Sequence, residues 1–223
     1  MIFNIFKNKS AFSIIELVVV MIVISFLIAG VTSCLYLMKN ANLRATITEV
    51  NNYRTSIFTY YENTGNFPGA VDGTFKFENS CIAWKNLQDK ELFFSEHKIN
   101  DCEIIFLNRI YSIPAKIKGA WYALGNRVVG NTEYAEFKKN SIALFGGKNN
   151  ITFDNATFSI DFDKSNLALT LKDALYIDDK SDDGNLDTGD VIGVGFNHDS
   201  CGGEGGGESL NSLSCVLFFN LGF

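Results

Sequence analysis

The sequence predicts an α+β protein in which a long N-terminal α-helix packs on a small antiparallel β-sheet. Two patterns support this fold class. An uncharged apolar run, Leu17 to Met38, continues into a segment whose apolar residues recur with helical spacing. Farther along the chain, short segments such as ATFSIDF alternate apolar and polar residues, which is typical of strands with one buried face. The length of 223 residues suits one compact domain with additional elements.

The apolar run is long enough to cross a membrane. At 1.5 Å per residue, Leu17 to Met38 spans about 33 Å, and the hydrocarbon core of a bilayer is about 30 Å thick. The run exceeds the apolar region of a secretory signal, so we expect it to persist as a single-pass membrane helix. Lys7 and Lys9 precede it and favour a cytoplasmic N-terminus, although Lys39 on the far side weakens this asymmetry.

Glu16 lies at the leading edge of the apolar run. A carboxylate at this place raises the free energy of membrane insertion unless it is paired. Two interpretations are open. The side chain lies at the level of the lipid headgroups, or cleavage before Phe12 creates an amine that the Glu16 of a neighbouring copy neutralises. In the second case two charges that are each costly alone stabilise one another.

The segment AFSIIELVVVMIVI resembles the cleavage and assembly signature of prepilins and pseudopilins. That signature is a small residue, Phe, a hydroxyl residue, two apolar residues and Glu, and it is matched here by Ala11, Phe12, Ser13, Ile14, Ile15 and Glu16. The resemblance implies that a prepilin peptidase cuts between Ala11 and Phe12 and that the Phe12 amine is methylated. It also implies that Glu16 recruits the subunit into a growing filament. Ala11 departs from the usual Gly before the cut.

The resemblance further implies how the chain is organised. Residues 1–11 would be a leader peptide, 12–38 a transmembrane and assembly helix, 39–63 its amphipathic continuation, and 64–223 a periplasmic or extracellular globular domain of pilin-like fold. The protein would lie in the inner membrane with a cytoplasmic N-terminus before processing, and afterwards in a pilus or pseudopilus.

The continuation of the helix carries an apolar stripe that Arg54 interrupts. Its members are Leu43, Ile47, Val50, Ile57, Phe58 and Tyr61. Gly65 and Pro68 mark the end of this helix. Filament pilins often carry a Pro in the membrane half, and none occurs between residues 12 and 62. This absence favours a pseudopilin or a minor subunit.

The remaining segments predict the elements of the globular domain. A short helix is expected within IAWKNLQDKEL, with Trp84 in the core, and a second helix over 167–176. Strands are expected at 141–145, 151–160, 191–196 and 216–221. The glycine-rich stretch 201–209 is expected to form a flexible loop.

Four of the five cysteines lie outside the apolar run, namely Cys81, Cys102, Cys201 and Cys215. Four cysteines allow three connectivities, and we expect the local one, Cys81 with Cys102 and Cys201 with Cys215. Disulfides require an oxidising compartment, which agrees with a periplasmic or extracellular domain. The alternative is four reduced, buried thiols.

The acidic segment DKSDDGNLDTGD matches the spacing of a calcium-binding EF-hand loop. The predicted ligands are Asp179, Ser181, Asp183, Asn185, Asp187 and Asp190, with Gly184 at the sharp turn. Calcium is therefore the one cofactor that the sequence suggests. The alternative is a solvated acidic turn in which Asp and Asn side chains bind their own backbone.

No catalytic constellation is recognisable, and we expect no enzymatic activity. Neither His97 nor His198 lies in a metalloprotease motif, and GGEGGG lacks the Lys and Ser/Thr of a phosphate-binding loop. The formal net charge of −6 disfavours non-specific nucleic-acid binding, which depends on Lys and Arg neutralising phosphates.

Three functional hypotheses follow. The first is a structural subunit of a type IV pilus or type II secretion pseudopilus, and a minor subunit is favoured over the major one. Its partners would be prepilin peptidase, other pilin or pseudopilin subunits and an inner-membrane assembly platform. The second is an adhesin or DNA-uptake module displayed on such a filament. The third is a membrane-anchored periplasmic calcium-binding protein that never polymerises.

Overall fold

The computed structural model describes residues 13–70, 77, 79–93, 99, 102, 112–127, 140–146, 151–154, 157–160, 169–195, 201 and 213–222. The helices are α1 (Ile14–Thr64), α2 (Ser80–Asp89) and α3 (Leu171–Ser181). The strands are β1 (Ile113–Pro114), β2 (Ala120–Arg127), β3 (Asn140–Gly146), β4 (Ile151–Asp154), β5 (Thr157–Ile160), β6 (Leu169–Thr170), β7 (Val191–Val194) and β8 (Leu213–Asn220). The chain divides into two units, one up to Ala41 and one from Asn42 onwards.

The first unit contains the N-terminal part of α1. This helix is long and apolar enough to cross a membrane, and the 18-residue apolar window that meets this criterion is 0% buried. From Ile14 to Met38 its large apolar side chains are exposed. A continuous apolar surface of this kind requires lipid or other protein chains to cover it.

The second unit contains the remainder of α1, which is amphipathic. Leu43, Thr46, Val50 and Ile57 are buried, and Tyr53 packs against the same core. The spacing alternates between three and four residues, which keeps these positions on one face of a helix. The prediction that Phe58 belongs to this stripe is wrong, because its side chain is 44% exposed while that of Ile57 is 0% exposed.

The strands form one eight-stranded, largely antiparallel sheet, which confirms the predicted α+β fold class. The order is β4-β5-β2-β3-β8-β6, with β1 paired to β2 and β7 paired to β8. Pairing of β2 with β5 is parallel, and the other strand pairs are antiparallel. The long central strands β2, β3 and β8 therefore bring residues that are distant in sequence into one core.

Both faces of the central sheet are buried. Tyr122, Leu144 and Leu217 belong to the larger buried cluster, which also contains the inward side chains of all three helices. Their chain neighbours Ala123 and Phe218 belong to a second buried cluster. Since successive side chains of a strand point to opposite faces, the two clusters lie on the two sides of the sheet.

The short helices start at side-chain caps. The Asn79 side chain accepts hydrogen bonds from the backbone N–H groups of Cys81 (2.8 Å) and Ile82 (3.1 Å) at the start of α2. Trp84 of this helix is fully buried, as predicted. The Thr170 hydroxyl accepts from the Asp173 N–H (3.2 Å) at the start of α3. Each cap satisfies backbone donors that have no partner within the helix.

Some element boundaries differ from the sequence predictions. The helix expected at 167–176 begins four residues later, because Leu169 and Thr170 pair with β8 before Thr170 caps α3. The strand expected over 151–160 consists of two antiparallel strands, β4 and β5. Strand β2 was not predicted. The glycine-rich stretch after Cys201 lies outside the described residues.

The cysteines pair locally. Cys81 is bonded to Cys102 with their Cα atoms 5.7 Å apart, and Cys201 is bonded to Cys215 with a Cα separation of 5.4 Å. These are the two predicted pairs. Cys34 in the first unit is free and exposed.

Candidate functional site: the N-terminal helix start and the acidic loop

The first turn of α1 is closed by a capping box formed by Ser13 and Glu16. The backbone N–H of Ser13 donates to Oε2 of Glu16 over 3.0 Å, and the N–H of Ile15 donates to Oγ of Ser13 over 3.4 Å. These reciprocal bonds satisfy donors at the helix start, where the helix dipole also favours a negative charge. The carboxylate of Glu16 is thus held at the N-terminal tip of the apolar helix.

Hydroxyl groups within the apolar part of α1 bond to the preceding turn of the helix. Ser25 Oγ donates to the Met21 carbonyl over 2.7 Å, and Ser33 Oγ donates to the Ala29 carbonyl over 3.0 Å. Such bonds satisfy polar groups without a partner helix or water, as an apolar environment requires. The helix is continuous through Ser25 and Gly30.

Comparison with known families gives a match at this end of the chain. A family profile described as the prokaryotic N-terminal methylation motif matches residues 6–32. The chain carries the type IV pilin and pseudopilin signal. No curated protein matches the chain, and no solved structure does.

The pilin-like signal and the fold agree with one another. The methylation motif covers the start of α1, and the α+β arrangement that follows it is pilin-like. The motif implies processing by prepilin peptidase and assembly with other pilins. Of the predicted processing and assembly residues, Glu16 lies in the helix cap, and Ala11 and Phe12 lie outside the described residues.

Among the described residues, no three of the predicted acidic calcium ligands are grouped within 4.8 Å of one another. Asp179 and Ser181 lie in the last turn of α3, and the carboxylate of Asp179 pairs with the ammonium of Lys180 over 2.8 Å. The remaining four predicted ligands lie in the loop between α3 and β7. Two of their side chains accept hydrogen bonds from backbone N–H groups of the same loop. The bonds are Asn185 N–H to Asp183 Oδ1 (2.8 Å) and Asp187 N–H to Asn185 Oδ1 (3.1 Å).

A different set of carboxylates comes together at this place. Asp178, Asp182 and Asp183 each present an oxygen within 4.8 Å of the others. Only Asp183 belongs to the set predicted from the sequence. Asp178 and Asp182 are four residues apart at the C-terminal end of α3, and the spacing itself could have suggested that they face one another.

Asp178 is the unusual member of this group. Its side chain is 0% exposed, and neither carboxylate oxygen has a hydrogen-bond partner among the described residues. Burial, followed by three neighbouring aspartates of which Asp183 acts most strongly, raises the pKa of the Asp178 carboxyl to about 6. By contrast, hydrogen bonds from the Thr188 hydroxyl and the Asn185 N–H lower the pKa of Asp183.

The acidic loop is anchored to the core by Asp182. Its Oδ2 accepts hydrogen bonds from the backbone N–H groups of Asp190 and Val191. Gly189 makes this possible, because its φ is +81° and a Cβ there would collide with the Asp182 carboxylate. The loop therefore has a fixed conformation at its base, which positions the three carboxylates.

Arg54 of α1 contributes positive charge near this anchor. It donates from Nη2 to the Asn220 carbonyl over 2.8 Å. Burial lowers the pKa of Arg54, and the charges of Asp190 and Asp182 raise it. The guanidinium thus interacts with the loop electrostatically while its hydrogen bond goes to the end of β8.

Proposed function

We propose that this protein is a minor structural subunit of a type IV pilus or type II secretion pseudopilus. In this proposal it is stored in the inner membrane, cut between Ala11 and Phe12, methylated on the Phe12 amine and assembled through its N-terminal helix. The observation that carries the proposal is the coincidence of the methylation motif at 6–32 with a helix whose large apolar side chains are exposed from Ile14 to Met38.

The exposed apolar surface supports storage in a membrane followed by packing into a bundle. Lipid covers this surface before assembly, and the helices of neighbouring subunits cover it afterwards. The globular unit lies on the periplasmic side of the inner membrane before assembly. Both environments avoid exposing an apolar patch of this length to water.

The position of Glu16 supports a role in assembly. In the single chain its carboxylate caps α1 through the Ser13 N–H. A hydrogen bond of this kind leaves the negative charge available, because a carboxylate has further lone pairs. In the filament the same carboxylate would neutralise the methylated Phe12 amine of a neighbouring subunit, so that neither charge is buried alone.

The absence of proline from 12–62 supports the minor assignment. Proline removes a backbone hydrogen bond and introduces a weak point in a helix. The stiffer α1 of this chain suits a subunit present in few copies or at an end of the filament. Counting the copies per filament in sheared material, by quantitative mass spectrometry, tests this part. A copy number equal to that of the principal subunit would contradict it.

Processing is tested first, by mass spectrometry of the N-terminus with and without prepilin peptidase. We expect the mature chain to begin at methylated Phe12 when the peptidase is present. A mature chain that still begins at Met1 would remove the basis of the assembly mechanism and leave a tethered domain.

Assembly is tested with two substitutions of the same residue. Glu16→Gln keeps an oxygen that accepts from the Ser13 N–H, as Gln does in capping boxes, but lacks the charge. We expect Glu16→Gln and Glu16→Ala both to be processed at Ala11 and both to be missing from the filament fraction. Incorporation of Glu16→Gln at the wild-type level would show that the side chain acts only as a helix cap.

A further inference from the structure

We infer that Asp178, Asp182 and Asp183 form a calcium-binding site at the junction between α3 and the acidic loop. This ligand set differs from the EF-hand alignment of the sequence, in which Asp178 and Asp182 take no part. All three residues lie in the second unit, so the site does not include Glu16, on which the proposed assembly mechanism depends.

The buried carboxylate of Asp178 is the first observation. Both of its oxygens are inaccessible to solvent, and within the described ranges neither has a hydrogen-bond partner. An ionised carboxylate in such a place destabilises the fold unless a positive charge or several donors compensate it. Lys180 is next but one in sequence, but its ammonium pairs with Asp179 at the surface.

The second observation is that two more carboxylates share the site. Their oxygens and that of Asp178 lie within 4.8 Å of one another. Calcium binds oxygen at about 2.3–2.6 Å, so oxygens around one ion are separated by up to about twice that distance. The spacing of the three carboxylates is therefore compatible with a shared ion without a rearrangement of the backbone.

The direction of α3 adds to the negative potential. Asp178 and Asp182 lie at the C-terminal end of this helix, where the unsatisfied carbonyls carry partial negative charge. The Oγ of Ser181, three residues after Asp178, is also buried and has no hydrogen-bond partner among the residues that the structure describes. It supplies a neutral oxygen on the same side of the helix. After burial itself, the effects that raise the pKa of Asp178 come from neighbouring carboxylates, whereas the charge of Arg54 acts on Asp182 and Asp190.

Calcium fits these groups better than other biological cations. Carboxylate oxygens are hard ligands, which excludes the metals that prefer sulfur or imidazole. Calcium accepts six to eight oxygens in irregular arrangements, whereas magnesium requires a near-ideal octahedron and keeps several waters. Extracellular calcium-binding modules have dissociation constants of about 10⁻⁴–10⁻³ M, so a site of modest affinity is sufficient outside the cell.

The test uses the full chain in detergent micelles after treatment with a chelator. Calorimetric titration with CaCl₂ and thermal unfolding with and without about 1 mM Ca²⁺ are measured on the wild type. We expect one bound ion and a rise in melting temperature. Absence of both heat and a melting shift at millimolar Ca²⁺ would overturn the proposal, and an equal or larger response to Mg²⁺ would overturn the choice of metal.

Three asparagine substitutions identify the ligands. Asp178→Asn and Asp183→Asn are expected to weaken calcium binding by more than about tenfold. Asp187→Asn is the matched control, because Asp187 belongs to the EF-hand alignment but not to the carboxylate group. Loss of binding in Asp187→Asn with retention in Asp178→Asn would assign the ion to the loop alignment instead.

Asp178→Asn has a second readout that a purely structural residue would not show. Without calcium it removes a buried, unpartnered charge, so its melting temperature should equal or exceed that of the wild type. With calcium the order should reverse. A lower melting temperature in both conditions would contradict the site. Glu16→Ala should bind calcium normally, which separates a failure of this inference from a failure of the assembly mechanism.

Discussion

At the scale of single residues, three polar side chains differ in how their hydrogen-bonding groups are satisfied. Glu16 is exposed and caps its own helix. Tyr122 is fully buried, and its hydroxyl donates to Oε2 of Glu49 over 3.0 Å, with the Thr46 carbonyl 3.4 Å away. Asp178 is buried and has no hydrogen-bond partner in the part of the chain that the structure describes. Because unpaired buried polar groups are rare in folded proteins, the contrast with Tyr122 distinguishes a structural group from a candidate ligand.

The Tyr122 hydroxyl gives a prediction at this scale. Tyr122→Phe removes the shorter of two hydrogen bonds to Oε2 of Glu49, the other being donated by the Lys116 N–H over 3.4 Å. We expect the free energy of unfolding at neutral pH to fall by about 1–3 kcal/mol, because the lost bond is made to a charged group. Denaturant unfolding of the full chain in micelles measures this. Glu49→Gln keeps an acceptor oxygen and should cost less. An equal loss in both variants would show that the charge of Glu49, and not its hydrogen bond, matters to Tyr122.

The same tyrosine makes the free energy of unfolding depend on pH in the alkaline range. Burial, with the charge of Glu49 adding to it, raises the pKa of Tyr122 above its ordinary value of 10.0. Above pH 10 the unfolded chain therefore loses a proton that the folded chain retains, and stability falls as the pH rises. Tyr122→Phe should reduce this fall. Burial raises the pKa of Tyr53 in the same way, so part of the fall should remain.

At the scale of elements, the amphipathic half of α1 shows how periodicity is converted into packing. Residues spaced three and four apart lie on the sheet, and Tyr53 makes edge-to-face contacts with Trp84 (5.1 Å between centroids) and Tyr122 (5.3 Å). These three rings join α1, α2 and β2. Phe58 was assigned to the stripe by its helical spacing from the other members, but it lies 100° round the helix from Ile57 and turns away from the core.

Ile57 and Phe58 form a matched pair that tests this packing. Ile57 is 0% exposed and Phe58 is 44% exposed. Ile57→Ala creates a cavity between α1 and the core, and we expect it to lower the free energy of unfolding by about 2–5 kcal/mol. Phe58→Ala removes more atoms but mostly from the surface, so its cost should be below about 1 kcal/mol. The reverse order would mean that this face of α1 is assigned incorrectly.

At the scale of the whole molecule, local signals in the sequence were sufficient for some features and insufficient for others. The apolar run and the Ser13 to Glu16 spacing are local, so the helix and its signal were predictable. Strand β2, AWYALGNR, contains Ala, Gly and Asn, which have weak strand preference, and it was missed. Its pairing with β3, and that of β3 with β8, depends on contacts distant in sequence. The isolation of Asp178 is likewise a result of tertiary packing, which no spacing reveals.

The disulfide between Cys81 and Cys102 gives a prediction for the stability of the second unit as a whole. The two residues are 21 apart in sequence. In the chain-entropy model, a link of that span raises the free energy of the unfolded chain by about 3 kcal/mol, because it restricts the conformations that the chain can adopt. Replacing both cysteines by alanine should lower the free energy of unfolding by about this amount. Fluorescence of Trp84, which is buried in α2 beside Cys81, can follow the transition.

The matched control is Cys34→Ser. Cys34 is free and lies in the first unit, so its replacement should leave the unfolding transition unchanged. Addition of a reductant should destabilise the wild type, and it should have less effect on the Cys81/Cys102 double variant, in which only the Cys201–Cys215 bond remains. If the double variant unfolds at the wild-type denaturant concentration, the core of the sheet and helices is sufficient without the link. The disulfide would then serve a purpose other than stability.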